Sequence, residues 1–262
     1  MISGPLRVDR SADGVVVLTL DLPDRRNAMT EEMTAAWGAA IGDVRADSSV
    51  RALLVTGAGS AFCAGADLSW LGVGSGLSVD ALRSRMLPFY RTWLSIRDLD
   101  VPTVAAINGP AVGAGLALAL ACDLRYAAPE ATLSVPFTTL GIHAGMATTW
   151  LLPEVAGLPV ARELLLTGRV VTGEEAVGMG LVNRVFPGEG LLHAAVAVTR
   201  SIAAKAPVAT RLTTTALREG HRSMADALRW EALAQPVTMA TDDLAEGLAA
   251  QRERRPPRFT GR

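Results

Sequence analysis

The sequence predicts an α/β fold in which a mostly parallel sheet is wound with helices, followed by a last third that is almost wholly helical. Three observations carry this expectation. Apolar runs of strand length alternate with helical stretches over the first two-thirds of the 262 residues, the pattern of parallel strands joined by right-handed crossovers. Glycine is frequent, at 25 residues, and spread along the chain, as tight strand–helix turns require. Half of the residues are hydrophobic and 19% are charged, which fits one large domain, or one domain with an appendage, around a well-buried core.

Each element follows from local chemistry. Residues 6–10 and 15–20 read as strands around Asp13-Gly14, a hairpin turn signal. Residues 22–27 form a polar turn holding Pro23, Arg25 and Arg26. Thr30 caps a helix that runs to about Ala46, with Glu31 and Glu32 against its positive end. Residues 51–56 are a buried strand that enters the glycine-rich turn GAGSAFCAGAD. Asp67 reads as the N-cap of a short helix, and residues 72–78 as a flexible loop. Residues 80–98 are helical, and Pro102 opens the next strand.

The stretch 101–123, VPTVAAINGPAVGAGLALALACD, is the most informative. It predicts a strand, a glycine-rich turn, and a helix that opens on Gly113-Ala114-Gly115 and carries no charge before Asp123. Residues 124–128, 132–135 and 182–186 are further strands. Helices are expected over about 145–155, 159–167, 173–179, 189–205, 207–219, 223–240 and 242–253, packed on their own core or on a partner subunit. The tail RERRPPRFTGR is basic and broken by prolines, and no internal repeat is visible.

Composition excludes several functions. A net charge of −1 argues against a nucleic-acid surface. The longest uncharged apolar run, 111–122, is too short to span a bilayer, and MISGPLRVDR has no apolar signal core. Cys63 and Cys122 lie in apolar sequence and read as small buried residues of a reducing compartment; a cytoplasmic protein is expected. Two cysteines and three scattered histidines show no metal-ligand spacing. Lys205 is the only lysine, which excludes chemistry needing several.

The chemistry-bearing motifs end two consecutive βα units: Phe62-Cys63-Ala64-Gly65-Ala66-Asp67 and Gly113-Ala114-Gly115. Such turns meet at the carboxyl ends of parallel strands, where ligands bind. One reading is a pair of backbone donors, from Ala66 and Ala114, facing one oxygen as an anion or oxyanion site. The other is that the glycines merely permit close strand–helix packing. Neither turn has the Gly-Lys-Ser/Thr ending of a P-loop or a GxGxxG with a later acid, and no GxSxG elbow is present.

Over nearly its whole length the chain resembles the crotonase (enoyl-CoA hydratase/isomerase) superfamily. DLPDRRNAMT is similar to the family's turn after its second strand, AFCAGADL to its first oxyanion loop, and PTVAAINGPAVGAGLALALACD to its second. LLLTGRVVTGEEAVGMGLVNRVFP and QRERRPPRFTGR resemble the join to the C-terminal helices and the tail. The resemblance implies a crotonase (ClpP-like) spiral of ββα units over 1–200 and a C-terminal helical trimerisation region over 201–262. It implies a homotrimer or dimer of trimers. The ligand would be an acyl-CoA or enoyl-CoA thioester, with no further cofactor and no metal. The thioester oxygen would lie on the amides of Ala66 and Ala114. Arg25, Arg26, Ala28, Ala64, Asp67, Leu68, Ala117, Phe137 and Phe259 would line the CoA and acyl sites, Phe259 reaching a neighbouring subunit's adenine.

The two glutamates of family hydratases are missing: Ala117 and Phe137 stand at their positions. A positioned acid or base supplies ~10²–10⁴-fold, so ordinary hydration is expected to be poor. Three activities remain: an acyl- or enoyl-CoA enzyme with another proton carrier, a non-catalytic acyl-CoA-binding protein, or thioester hydrolysis or decarboxylation. His143, six residues past Phe137, has an imidazole suited to acid–base work or is a surface histidine. Tyr90 reaches the acyl pocket or packs in the core. Asp67 is read as a cap, Glu154 as a solvated or interface charge, and His193 and His221 as surface residues. The tail arginines form a solvated face.

Overall fold

The computed structural model describes residues 4–67, 76–220 and 223–262. Leu68, His221, the short helix expected after Asp67 and most of the loop at 72–78 lie outside the described residues.

A six-stranded sheet runs in the order β1-β2-β3-β4-β6-β9. β1 (Leu6–Arg10) and β2 (Val15–Leu20) form the antiparallel hairpin, with Leu6 opposite Leu20 and Gly14 at φ +81 in the turn. β3 (Ala52–Gly57), β4 (Thr103–Ile107), β6 (Leu124–Ala127) and β9 (Arg184–Val185) then add in parallel. β3 and β4 are apolar on both faces and fully buried but for Gly57, as parallel strands covered on both sides must be.

The helices cover that sheet. α1 (Glu31–Ala46) begins where expected: the Thr30 side chain accepts from the Met33 amide at 3.1 Å. It buries Met33, Trp37, Ile41 and Val44, and Trp37 stacks on Trp93 of α2 (Val79–Leu94) at 4.9 Å. α3 (Ala114–Ala121) is buried at all eight positions, which accounts for its lack of charge. α6 (Gly188–Ala203) packs against β2, β3, β4 and β6. Among the described residues no helix is long and apolar enough to cross a membrane.

Two expectations need correction. A second, three-stranded sheet, β5-β7-β8, was not foreseen in full. β7 (Thr132–Ser134) was, but β5 (Ala111–Val112) and β8 (Val171–Thr172) are two-residue strands, too short to show a period. The helices expected at 145–155 and 159–167 are both present within α4 (Thr148–Thr167), as two helical segments that meet at a non-helical Gly157, φ +79 and ψ 161. Finally, the strand expected at 182–186 pairs only at Arg184–Val185.

Beyond α5 (Gly173–Gly178) and α6, the last helices are α7 (Pro207–Glu219), α8 (Met224–Met239) and α9 (Asp242–Glu253). α7 is tied to the sheet by Arg218. Its guanidinium donates to Asp123 Oδ1 at 2.7 Å and Oδ2 at 2.6 Å, to the Val101 carbonyl at 3.1 Å and to the Leu99 carbonyl. Asp123 in turn accepts from the Thr103 amide and hydroxyl at 2.7 and 2.9 Å.

Candidate active site

Two short parallel bridges hold the first glycine-rich turn, one to the second such turn and one to the segment before α1. Cys63 pairs with Ala111: the Cys63 amide donates to the Pro110 carbonyl at 3.1 Å and the Val112 amide to the Cys63 carbonyl at 3.0 Å. Ala66 pairs with Met29 through Met29 N–H to the Gly65 carbonyl, 2.8 Å, and Asp67 N–H to the Met29 carbonyl, 3.5 Å. In this pairing the neighbours of Ala66 use the bonds, and its own N–H turns away from Met29. Ala114 is the first residue of α3, so its amide has no intrahelical acceptor. Among the described residues neither the Ala66 nor the Ala114 amide meets an acceptor.

The glycines divide between the two roles left open by the sequence. Gly65 has φ +97, and a Cβ on it would lie 2.6 Å from the Val112 carbonyl oxygen and 3.5 Å from the Ala114 nitrogen. It therefore holds the two turns in contact. Gly113 takes φ +54 and ψ −114 and donates to the Ser134 carbonyl at 2.9 Å, aiming the start of α3. At Gly115 a Cβ would collide with the Cys63 carbonyl, so this glycine serves packing. Sequence reasoning missed Asn27. Wholly buried at φ +56, it donates to the Ala58 and Ala61 carbonyls at 2.9 and 2.8 Å and accepts from the Leu22 amide at 2.9 Å. An asparagine following two arginines in a turn was its only signal.

The walls are apolar. Ala117 is 0% exposed and donates its amide to the Gly113 carbonyl at 3.0 Å. Phe137 is 9% exposed, and its ring lies 3.7 Å from where a Cβ on Gly113 would stand. His143 is exposed and lines a groove of ≈ 270 Å³ with Phe137, Thr149, Leu158 and Leu165. Its Nδ1 lies 2.7 Å from the Ala144 carbonyl. A carbonyl only accepts, so in this contact Nδ1 carries a proton and donates it. Tyr90, on α2, is half-buried, edge-on to Phe89 at 6.1 Å, and burial pushes its phenol above the usual value. Its hydroxyl oxygen would lie 2.6 Å from a Cβ on Gly145.

Charge lies at the rim. Arg25 pairs with Asp67, so the Asp67 carboxylate has an ionic partner as well as its sequence position before the expected helix. Arg26 is exposed at φ +49, and its carbonyl accepts from the Ala64 amide at 2.9 Å; Ala28 and Ala64 are half-buried beside it. Phe259 is further away along the chain's own tail. It packs on Gly247, and its carbonyl accepts from Arg51 Nη2 at 2.9 Å. The Thr260 and Gly261 amides donate to the buried Asp243 carboxylate at 2.7 and 2.9 Å, pinning this tail to α9. Glu154 pairs with Arg97 at 3.3 Å, and His193 is exposed on α6. Both thiols are buried, which pushes Cys63 and Cys122 up to about 12. No metal-binding cluster occurs among the described residues.

A parallel sheet with two glycine turns clasped at its carboxyl edge, and two backbone amides there that meet no acceptor among the described residues, defines an α/β protein of the kind that binds ligands at that edge. The enoyl-CoA hydratase/isomerase family pattern matches residues 10–262, and the chain belongs to that family. The mouse mitochondrial enoyl-CoA hydratase domain-containing protein 2 is 36% identical over 256 residues, covering 95% of this chain and 85% of its own. Mouse methylglutaconyl-CoA hydratase is 34% identical over 254 residues, covering 95% and 80%. The crystal structure of enoyl-CoA hydratase from Bacillus anthracis superposes with a TM-score of 0.92 at 34% identity, covering 98% of this chain and all of that one. The fold is that of the crotonases.

Proposed function

We propose that the chain binds an acyl-CoA or enoyl-CoA thioester with the carbonyl oxygen between the amides of Ala66 and Ala114. The pair of acceptor-free amides on clasped turns carries this reading. Donors fixed before the reaction stabilise a developing oxyanion, and one such donor is worth ~10²–10³-fold. Arg25 and Arg26, with Ala28, Ala64 and Asp67 around them, offer guanidinium forks suited to the CoA phosphates.

The reaction is of the hydratase/isomerase type, with His143 rather than a carboxylate moving the proton. Its support is that His143 lines one groove with Phe137, whose ring stands over Gly113 at the start of α3. The test incubates the protein with crotonyl-CoA and longer enoyl-CoAs and follows the conjugated thioester absorbance. Turnover is expected to be slow and to fall to background in His143→Ala, with butyryl-CoA affinity unchanged by calorimetry. Undiminished turnover in that variant removes His143 as the proton carrier.

The second reading, a non-catalytic acyl-CoA-binding protein, is favoured by the complete burial of Ala117 and the Phe137 ring over Gly113. Turnover above a no-enzyme control removes it. In either case the working form is a homotrimer or dimer of trimers assembled through residues 201–262. The support is that α8 buries no side chain in its own chain. No cofactor is needed besides the CoA of the ligand.

A further inference from the structure

We infer that the Tyr90 hydroxyl reads an oxygen on the acyl group, so that the preferred ligands are oxygenated acyl-CoA thioesters rather than plain alkyl ones. This rests on the CoA reading above and names its substrate class.

The segment 136–147 links Tyr90 to the clasped turns. At one end the Phe137 ring stands over Gly113, and at the other Gly145 receives the Tyr90 hydroxyl, which occupies the space of any larger side chain there. α2 packs on both α1 and α3, with Phe89 and Trp93 buried and Tyr90 left half-buried between them. A half-buried phenol normally finds a hydrogen-bond partner. Among the described residues Tyr90 has none.

The acceptors nearest along that segment are already used. The Gly145 carbonyl accepts from the Thr148 amide at 3.0 Å and the Thr148 hydroxyl at 2.6 Å. The Ala144 carbonyl faces His143 Nδ1 at 2.7 Å. Burial keeps the phenol protonated through neutral pH, so it presents a donor. Next to it, Met146 and Ala147 both hold left-handed backbone, φ +54 and +52, a conformation that persists only where the surroundings impose it. Among the described residues the hydroxyl is thus protonated and without an acceptor.

An alkyl chain bound against it would strip its water and leave it unpaired, whereas a carbonyl, hydroxyl or carboxylate oxygen would accept from it. A neutral hydrogen bond of this kind is worth about tenfold in affinity.

The experiment titrates wild type and Tyr90→Phe calorimetrically with butyryl-CoA, acetoacetyl-CoA, 3-hydroxybutyryl-CoA and succinyl-CoA. At least one oxygenated thioester is expected to bind wild type about tenfold tighter than butyryl-CoA. Tyr90→Phe should erase that margin while butyryl-CoA affinity stays the same or improves, which also shows the variant is folded. A margin that survives the substitution, or no margin for any of the three, overturns the assignment of Tyr90 and leaves the CoA reading standing. If none of the four thioesters binds wild type, the CoA reading falls, and this inference with it.

Discussion

Gly65 is the residue on which the clasp depends. Its φ of +97 is a region that side chains rarely enter, and a Cβ would press on the Val112 carbonyl at 2.6 Å. Gly65→Ala is therefore expected to cost about 1–3 kcal/mol and to lower butyryl-CoA affinity more than any change in melting temperature explains. A variant that binds normally would show that the two turns need not touch. The thiols make a second residue-scale case. Cys63 and Cys122 are raised by burial from 9.0 to about 12, so the unfolded chain loses these protons at lower pH than the folded one. Their contribution is complete below pH 9 and declines as pH rises towards 12. Chemical denaturation should lose stability above pH 9 less steeply in Cys122→Ala than in wild type, and a thiol reagent at pH 8 should label neither cysteine until the chain unfolds. Rapid labelling of the native protein would contradict the burial.

At the scale of elements, Arg218 fastens α7 to the sheet through Asp123 and the carbonyls that precede β4. Arg218 and Asp123 side chains are only 10% and 25% exposed, so removing one partner leaves the other desolvated without compensation. Arg218→Met is expected to cost about 2–4 kcal/mol, read as a shift in the urea midpoint at unchanged slope; a shift within error would mean that the pair only offsets its own desolvation. What the sequence showed at this scale follows chain distance. The hairpin at Asp13-Gly14, the Thr30 cap and the uncharged α3 were legible because their causes are local. β5 and β8 were not, having two residues each. The site divides the same way. The glycine turns and the apolar side chains at Ala117 and Phe137 could be read directly. The pairing of Arg25 with Asp67, 42 residues on, and the seating of Tyr90 on Gly145 depend on tertiary packing that no local pattern encodes.

The whole molecule leaves one large surface unexplained within a single chain. A surface helix normally buries an apolar stripe, yet α8 buries no residue, and Leu228, Leu233 and Val237 are 57%, 75% and 53% exposed. Leu217 of α7, at 77%, and Leu244 and Leu248 of α9, at 41% and 46%, extend the same apolar character onto the neighbouring helices. Exposed apolar side chains gathered on three helices that pack together are what an interface covers, and a stable interface buries about 1,600 Å² in total. Residues 201–262 could thus contribute to assembly what they do not contribute to the chain's own core. Leu233→Glu places a charge on an exposed part of α8 and leaves the sheet, α3 and both glycine turns untouched. Sedimentation should show wild type as a trimer or hexamer and Leu233→Glu as smaller species at the same concentration, with circular dichroism retained because the core is intact. Should wild type sediment as a monomer at micromolar concentration, α8 must be covered by something other than a second copy of this chain. Should Leu233→Glu stay assembled, the contact surface lies elsewhere, and the exposed α4 residues Trp150 and Leu166, at 69% and 73%, become the next to change.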